Sequence, residues 1–240
     1  MKISIEAHSV HLWRTYVPDL LAEMPHFFAL LNPIELARAK RFRFIEHCDR
    51  YVIARGVLRS ILHLYTGIPA TDMEFILNKH GKPYLKDNVL NLQFNVSHSH
   101  DWVVYAVTMQ KEVGIDIEKI KPQFDEAVAK RFFSLPEYIA LMTLPEIERT
   151  TAFYRIWSGK EAVIKVLGEG LYASTTAFAL DINQEAQQVV LMYQNQIREY
   201  FLHYFLTHEN YQSAVATEEE VKEWVHWEWT AAGGVKTIFS

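Results

Sequence analysis

Only one cysteine, Cys48, occurs in 240 residues. An intramolecular disulfide is therefore impossible, as is a zinc site built on thiolates, and this usage fits a reducing compartment. No apolar run approaches the ~18 residues of a membrane span. The opening MKISIEAHSV lacks an apolar core of signal-peptide length. Together these features predict a soluble, cytoplasmic protein with no membrane association. No stretch rich in Gly, Ser or Pro divides the chain, so any two lobes should pack tightly. No Walker-type loop, no G-x-G-x-x-G and no G-x-S-x-G elbow is present. A phosphorylated ligand must then be held by side chains rather than by a glycine-rich cradle. The formal net charge of -5 excludes a general nucleic-acid binder.

Half of the residues are hydrophobic, enough for one large domain or two small ones. Charge is unevenly spread. Seven basic residues and two acidic ones lie between Arg38 and Arg59, and six acids with one lysine lie between Glu209 and Glu228. A basic block inside an acidic chain suits an anionic ligand of limited size, although a solvated helix face gives the same pattern. Strands are predicted over KISIEAHSVHLW, MEFILN, VVYAVTM, VGIDIE, AFALDI, QVVLMYQ, EYFLHYFLT and YQSAVAT. A helix follows the Asn32 cap and Pro33, and a second runs from Asp49 to Tyr65. SLPE at Ser134–Glu137 is a capping box that opens another. A long helix spans 150–167 and ends near Gly168 and Gly170. The acidic TEEEVKEWVHWEWT has no assignable period. The pattern predicts an α+β fold with one main helix and several strands in each half, divided into residues 1–110 and 111–240.

Four segments carry groups suited to chemistry. In VGIDIE, alternation turns Val113, Ile115 and Ile117 to one face and Gly114, Asp116 and Glu118 to the other. Two carboxylates on one face repel unless a cation neutralises them. Oxygen ligands alone suit a hard cation, above all magnesium, which takes few carboxylates and completes its shell with phosphates and water. An outward polar edge strand would alternate in the same way. In the long helix, Trp157, Glu161 and Lys165 share a stripe, and Lys160 lies nearer Ile156 and Ile164. Isolated, Glu161 and Lys165 would be an ordinary surface pair. Their apolar surroundings instead predict burial, and a buried carboxylate with two lysines requires partners. In FNVSHSHD, Ser97 and His98 are placed to meet a phosphate, and no third zinc ligand accompanies His98 and His100. Gly81 and Pro83 make a stiff turn that presents Lys82.

In this order, GKP at 81–83, FNVSHS at 94–99, GIDIE at 114–118, RFFS at 131–134 and WSGKEAVIKVLGEGL at 157–171 resemble the Sfp-type 4′-phosphopantetheinyl transferase family. AKRF at 39–42 followed by Arg50 is similar to its basic N-terminal region. The resemblance spans roughly residues 30–180. It implies a pseudo-two-fold monomer of two similar, tightly packed lobes, each a helix on a small antiparallel sheet. The N-terminal lobe would bind the coenzyme A nucleotide, and the C-terminal lobe would carry the metal and catalytic residues. The implied reaction moves the phosphopantetheine arm of coenzyme A to a serine of an apo acyl or peptidyl carrier protein and releases 3′,5′-ADP. By match of position, Asp116, Glu118 and Glu161 would hold magnesium, with manganese able to replace it. Glu161 would also be the general base, Lys165 would neutralise phosphate charge, and Lys160 would assist. Arg38, Arg50 and His98 would meet the 3′-phosphate side, and Gly81, Lys82 and Pro83 the adenine, with Ser97 nearby. Glu35 stands where some relatives have a lysine, which implies fewer cations around the 3′-phosphate. Two other classes fit some of the residues: a magnesium-dependent pyrophosphate hydrolase, and a non-catalytic coenzyme A or carrier-binding module. The presence of Asp116, Glu118, Glu161 and Lys165 together argues against the module, because binding alone does not require all four.

Overall fold

The computed structural model describes residues 2–168 and 175–238. Strand β1 (Ser9–Tyr16) leads through a 3-10 turn to helices α1 (Met24–Leu30), α2 (Pro33–Ala39) and α3 (Ile45–Thr66). Asn32 caps α2 in a reciprocal box with Glu35. One face of α3, including Val52, Ile53, Val57, Leu58, Ile61 and Leu62, is buried against Trp13, Val103, Tyr105 and Val107. Gly67 ends α3 with φ +74°, a left-handed turn that glycine adopts without steric cost. Next come the short hairpin β2 (Phe75–Leu77) and β3 (Pro83–Leu85), and then β4 (Leu92–Ser99), β5 (Trp102–Met109) and β6 (Val113–Lys119).

Helices α4 (Glu126–Phe132), α5 (Leu135–Thr143) and α6 (Glu146–Leu167) precede β7 (Ala186–Tyr193), β8 (Gln196–Phe205) and β9 (Tyr211–Thr217). The chain then forms β10 (Glu223–Thr230) and β11 (Gly234–Ile238). The capping box expected at Ser134 and Glu137 opens α5. Two main sheets result, in the orders β11-β10-β1-β5-β4 and β6-β9-β8-β7. Their inner faces meet: Val10, Leu12, Val104 and Ala106 pack on Val113, Ile115, Ile117 and Val215. Helix α3 covers the outer face of the first sheet. Helix α6 covers that of the second through Ala162, Val163 and Val166. The order of layers is therefore helix, sheet, sheet, helix. No described helix is long and apolar enough to cross a membrane.

Three features depart from the sequence expectations. First, AFALDI is not a strand. Residues Thr175–Ala177 form a 3-10 turn, and the backbone beyond them bonds to side chains: Phe178 C=O accepts from Lys160 Nζ and Leu180 N–H donates to Glu137. Phe178 and Leu180 are buried all the same, which explains their apolar character. Second, the acidic segment supplies β10, which lies parallel to β1 with Ser9 opposite Glu223 and Arg14 opposite Glu228. The first sheet is consequently mixed rather than antiparallel. Third, residues 223–238 belong to that first sheet, so the chain crosses the division expected at residue 110. The indoles explain the return of the chain, because Trp227 stacks on Trp13 with ring centroids 5.3 Å apart.

Beneath that stack, Tyr65 Oη accepts from Trp13 Nε1–H at 2.9 Å and lies 2.7 Å from His11 Nδ1. Burial pushes the His11 imidazole down to about 4 from its ordinary 6.5. Between those values the unfolded chain binds the extra proton and the native one does not. Stability is therefore full above pH 6.5 and falls as pH drops toward 4, by ~3 kcal/mol for a shift of this size. Urea melts of wild type and His11→Gln at pH 7 and pH 4.5 should show a distinctly smaller loss in the variant.

Candidate active site

The two sheets meet edge to edge at β4 and β6. Asn95, Ser97 and Ser99 alternate onto one side of β4 and hydrogen-bond across this seam. Asn95 Oδ1 accepts from Ile115 N–H at 3.0 Å, Ser97 Oγ donates to Asp116 Oδ1 at 2.8 Å, and Ser99 Oγ donates to Glu118 Oε2 at 3.2 Å. Helix α6 lies on the β6 face that carries Gly114, Asp116 and Glu118. A Cβ at position 114 would collide with the Ala162 carbonyl and the Val166 amide. Gly114 therefore makes room for the helix backbone.

This close approach delivers Lys165 to the strand. Its ammonium donates to Asp116 Oδ1 at 2.6 Å, Ser97 Oγ at 2.9 Å and the Ile115 carbonyl at 3.0 Å. The Asp116 side chain is only 5% exposed and that of Lys165 is 26% exposed. The other carboxylate oxygen, Asp116 Oδ2, is buried and has no hydrogen-bond partner. An unpaired buried acceptor costs about 1–3 kcal/mol, so this oxygen is suited to a donor or a cation from outside the protein. Glu118 accepts from Trp157 Nε1–H at 3.2 Å. Burial and then the Asp116 charge raise its carboxyl above the usual range, against the bonds from Ser99 and Trp157. Burial pushes Glu161 up to about 7. Lys165 opposes that rise, and the Asp116 and Glu118 charges reinforce it. These three carboxylates share one electrostatic site, with Lys165 bonded to one of them. Among the described residues, no three His, Cys, Asp or Glu side chains converge tightly enough to enclose a metal unaided.

The expected nucleotide residues divide into three groups. His98 lies beside Arg50: partial desolvation and then the Arg50 and Lys165 charges lower its imidazole below the ordinary value. Arg50 Nε is buried with no partner. Arg38 lies elsewhere, its guanidinium 5.3 Å from the Tyr51 ring centre. It lines a cleft of ≈ 790 Å³ with Arg41, Tyr51, Arg55 and Phe75. Glu35 lines this cleft too but is not free, because it pairs with Arg55 at 3.0 Å and Arg59 at 2.7 Å. At the β2–β3 turn, Gly81 has φ +90° and Pro83 starts β3. Lys82 points inward rather than toward a ligand. Its ammonium bonds to Glu112, the Val113 carbonyl and the Lys165 carbonyl.

Lys160 also departs from expectation. It is 1% exposed and lies on the opposite side of α6 from Asp116, paired with Glu137 at 2.8 Å. It donates further to the Thr175 and Phe178 carbonyls at 2.6 and 3.0 Å. All three of its N–H bonds are taken by protein, so it cannot assist at the phosphates. Gly170 and Leu171, the end of the quoted helix motif, lie outside the described residues.

Residues 112–225 match the family described as 4′-phosphopantetheinyl transferase superfamily. Residues 13–110 match that described as 4′-phosphopantetheinyl transferase, N-terminal. Over 172 residues the chain is 39% identical to 4′-phosphopantetheinyl transferase HetI of Nostoc sp., covering 70% of this chain and 73% of that protein. The chain belongs to the 4′-phosphopantetheinyl transferase superfamily. It is also 35% identical to 4′-phosphopantetheinyl transferase Sfp of Bacillus subtilis, over 69% of this chain and 72% of that one. With 4′-phosphopantetheinyl transferase psf-1 of Bacillus pumilus the figures are 38%, 63% and 64%.

Within this superfamily member, sequence reasoning overlooked Asn95, Ser99 and the Trp157 indole as supports of the carboxylates. The i, i+2, i+4 spacing of Asn95, Ser97 and Ser99 was the available signal, because three small polar residues on one strand face mark a polar seam. The Lys160 arrangement yields a prediction. Lys160→Met leaves Glu137 buried without its cation, which typically costs about 3–5 kcal/mol. Denaturant melts should show that loss, while turnover per folded molecule stays within a few-fold of wild type. The double variant Lys160→Met, Glu137→Gln should recover much of the stability.

Proposed function

We propose that this chain transfers the 4′-phosphopantetheine arm of coenzyme A to a serine of an apo carrier protein and releases 3′,5′-ADP. The carrying observation is the buried Asp116 carboxylate, one oxygen bound by Lys165 and the other without a partner, beside Glu118 and Glu161. Membership of the superfamily and the transferase activity for which the relatives are named support the same reading.

Asp116, Glu118 and Glu161 would hold a magnesium ion, or manganese in its place. The orphaned Oδ2 and the all-oxygen donor set fit such an ion, which needs few protein ligands when phosphate oxygens and water complete its shell. When bound, it supplies charge neutralisation at the pyrophosphate. In the transfer step the serine oxygen forms a bond to the β-phosphorus of coenzyme A, and the bond from that phosphorus to the bridging oxygen breaks. The leaving 3′,5′-ADP carries away that oxygen and its electron pair. The serine proton passes to the Glu161 carboxylate, directly or through one water. A carboxyl raised by burial is a better proton acceptor than an exposed one. The Lys165 ammonium, set by Ser97 and Ile115, faces the charge that develops on the phosphoryl oxygens. Nucleotide recognition belongs to the N-terminal lobe. There Arg50 and His98 reach the 3′-phosphate, Arg38 faces the cleft beside Tyr51, and Gly81 and Pro83 border the adenine, while the Lys82 side chain turns inward to Glu112 and the Val113 and Lys165 carbonyls.

The mass of an apo carrier incubated with protein, coenzyme A and magnesium tests the reading. The carrier should gain one phosphopantetheine, and EDTA should prevent the gain. Coenzyme A consumed with no change in the carrier's mass would establish a hydrolase instead. Asp116→Asn and Glu161→Gln should remain folded and lose most of the transfer. Full transfer by either variant would remove that carboxylate from the mechanism.

Nucleotide recognition has its own test. A hydrogen bond to a charged group contributes about 1.5–3 kcal/mol. Dephospho-coenzyme A should therefore bind at least about tenfold more weakly, a difference of ~1.4 kcal/mol. In Arg50→Ala, titration calorimetry should find most of that discrimination gone. An unchanged preference would assign Arg50 to another partner.

A further inference from the structure

The C-terminus of α6 is finished by a different part of the chain. The last carbonyls of a helix have no intrahelical donor and must find one elsewhere. In α6 the Ile164 carbonyl is met by Gly168 N–H. The Lys165 carbonyl is met by Lys82 Nζ at 2.9 Å and the Gly168 carbonyl by Asn78 Nδ2 at 2.7 Å. Both donors come from the β2–β3 hairpin of the other lobe. The left-handed Gly168, at φ +68°, lies against Asn78, Lys82 and Tyr84.

The hairpin is built to hold those donors still. Asn78 Oδ1 accepts from His80 N–H at 2.9 Å and Lys82 N–H at 3.0 Å, so the residue that caps the helix also shapes the turn. Lys82 Nζ is held by Glu112 at 2.6 Å and the Val113 carbonyl at 3.1 Å, at the start of β6. One ammonium thus joins the hairpin, the strand that carries Asp116 and the helix that carries Glu161 and Lys165. It is 9% exposed, and its three N–H bonds are all in use.

Lys165 is consequently fixed at both ends. Its carbonyl is held by Lys82 and its ammonium by Asp116, Ser97 and Ile115. We infer that Lys82 and Asn78 are positioning residues for transfer: they cap the catalytic helix from the opposite lobe and so set the place of the Lys165 ammonium, rather than contacting coenzyme A. This rests on the transferase reading above. A misplacement of ~1 Å in a reacting constellation can lower rates by about a hundredfold, so loss of the cap should appear in turnover.

The variants are Lys82→Met, Lys82→Arg and Asn78→Ala, and the probes are coenzyme A and an apo carrier. For Lys82→Met, kcat should fall at least tenfold while the Kd for coenzyme A, from calorimetry, stays within twofold. Without ligand, amide exchange at Val166, Leu167 and Gly168 should quicken at least tenfold, with α3 unchanged. Lys82→Arg should recover most of the turnover, because it keeps a charged donor. Asn78→Ala should move kcat and exchange in the same direction by a smaller factor. If Lys82→Met does not fold, these two variants carry the test. A tenfold weaker affinity for coenzyme A with unchanged exchange would make Lys82 a ligand contact and overturn the inference. Faster exchange with unchanged kcat would leave only a structural staple and overturn it as well. Failure of wild type to modify any apo carrier would defeat the transferase reading alone. The exchange and binding measurements would still decide between a helix cap and a ligand contact.

Discussion

Everything chemical in this protein depends on how closely α6 lies on β6. The missing side chain at Gly114 lets the helix backbone settle on the strand. The Lys165 ammonium then comes to 2.6 Å from Asp116, and Glu161 joins the same field as Asp116 and Glu118. A methyl group at 114 would have to push the helix off the strand, and the Glu161 and Lys165 side chains would move with it. Burial follows from the same contact. It raises Glu161 and Glu118 together, because neither carboxylate can spread its charge into bulk water.

The two lobes share a plan and differ in detail. Each has a 22-residue helix ended by a left-handed glycine, α3 at Gly67 and α6 at Gly168. Helix α3 ends within its own lobe, where Thr66 Oγ1 accepts from Ile68 N–H and His63 lies 2.8 Å from the Ile68 carbonyl. Helix α6 is completed by the opposite lobe. The lobe expected to recognise the nucleotide therefore also holds the end of the helix that carries Glu161 and Lys165.

Local patterning was most legible where burial acts on every second or every third and fourth residue. Alternation in VGIDIE correctly separated Val113, Ile115 and Ile117 from Asp116 and Glu118, and both main helices followed from their apolar spacing. The Asn32 cap and the Ser134 box were readable because capping is a matter between near neighbours. What escaped was set by distant parts of the chain. AFALDI has the apolar content of a strand, yet its backbone is satisfied by Lys160 and Glu137. The residue types at Lys160 and Lys82 were compatible with phosphate contacts. Only the fold reveals that Glu137 and Glu112 lie within ion-pairing distance of them. The aromatic-rich acidic segment showed no clean alternation because β10 is half-buried along most of its length.

The parallel pairing of β10 with β1 has a consequence for synthesis. A strand near the beginning of the chain, at residues 9–16, waits for a neighbour at residues 223–230. Until that neighbour leaves the ribosome, β1 presents a bare row of backbone donors and acceptors on one side. The face of Trp13 that later stacks on Trp227 is likewise uncovered. The N-terminal lobe can begin to assemble through β1, β5 and α3, but its first sheet is completed only after residues 223–238 have been made. A nascent chain of this kind is a natural client for chaperones that shield open sheet edges.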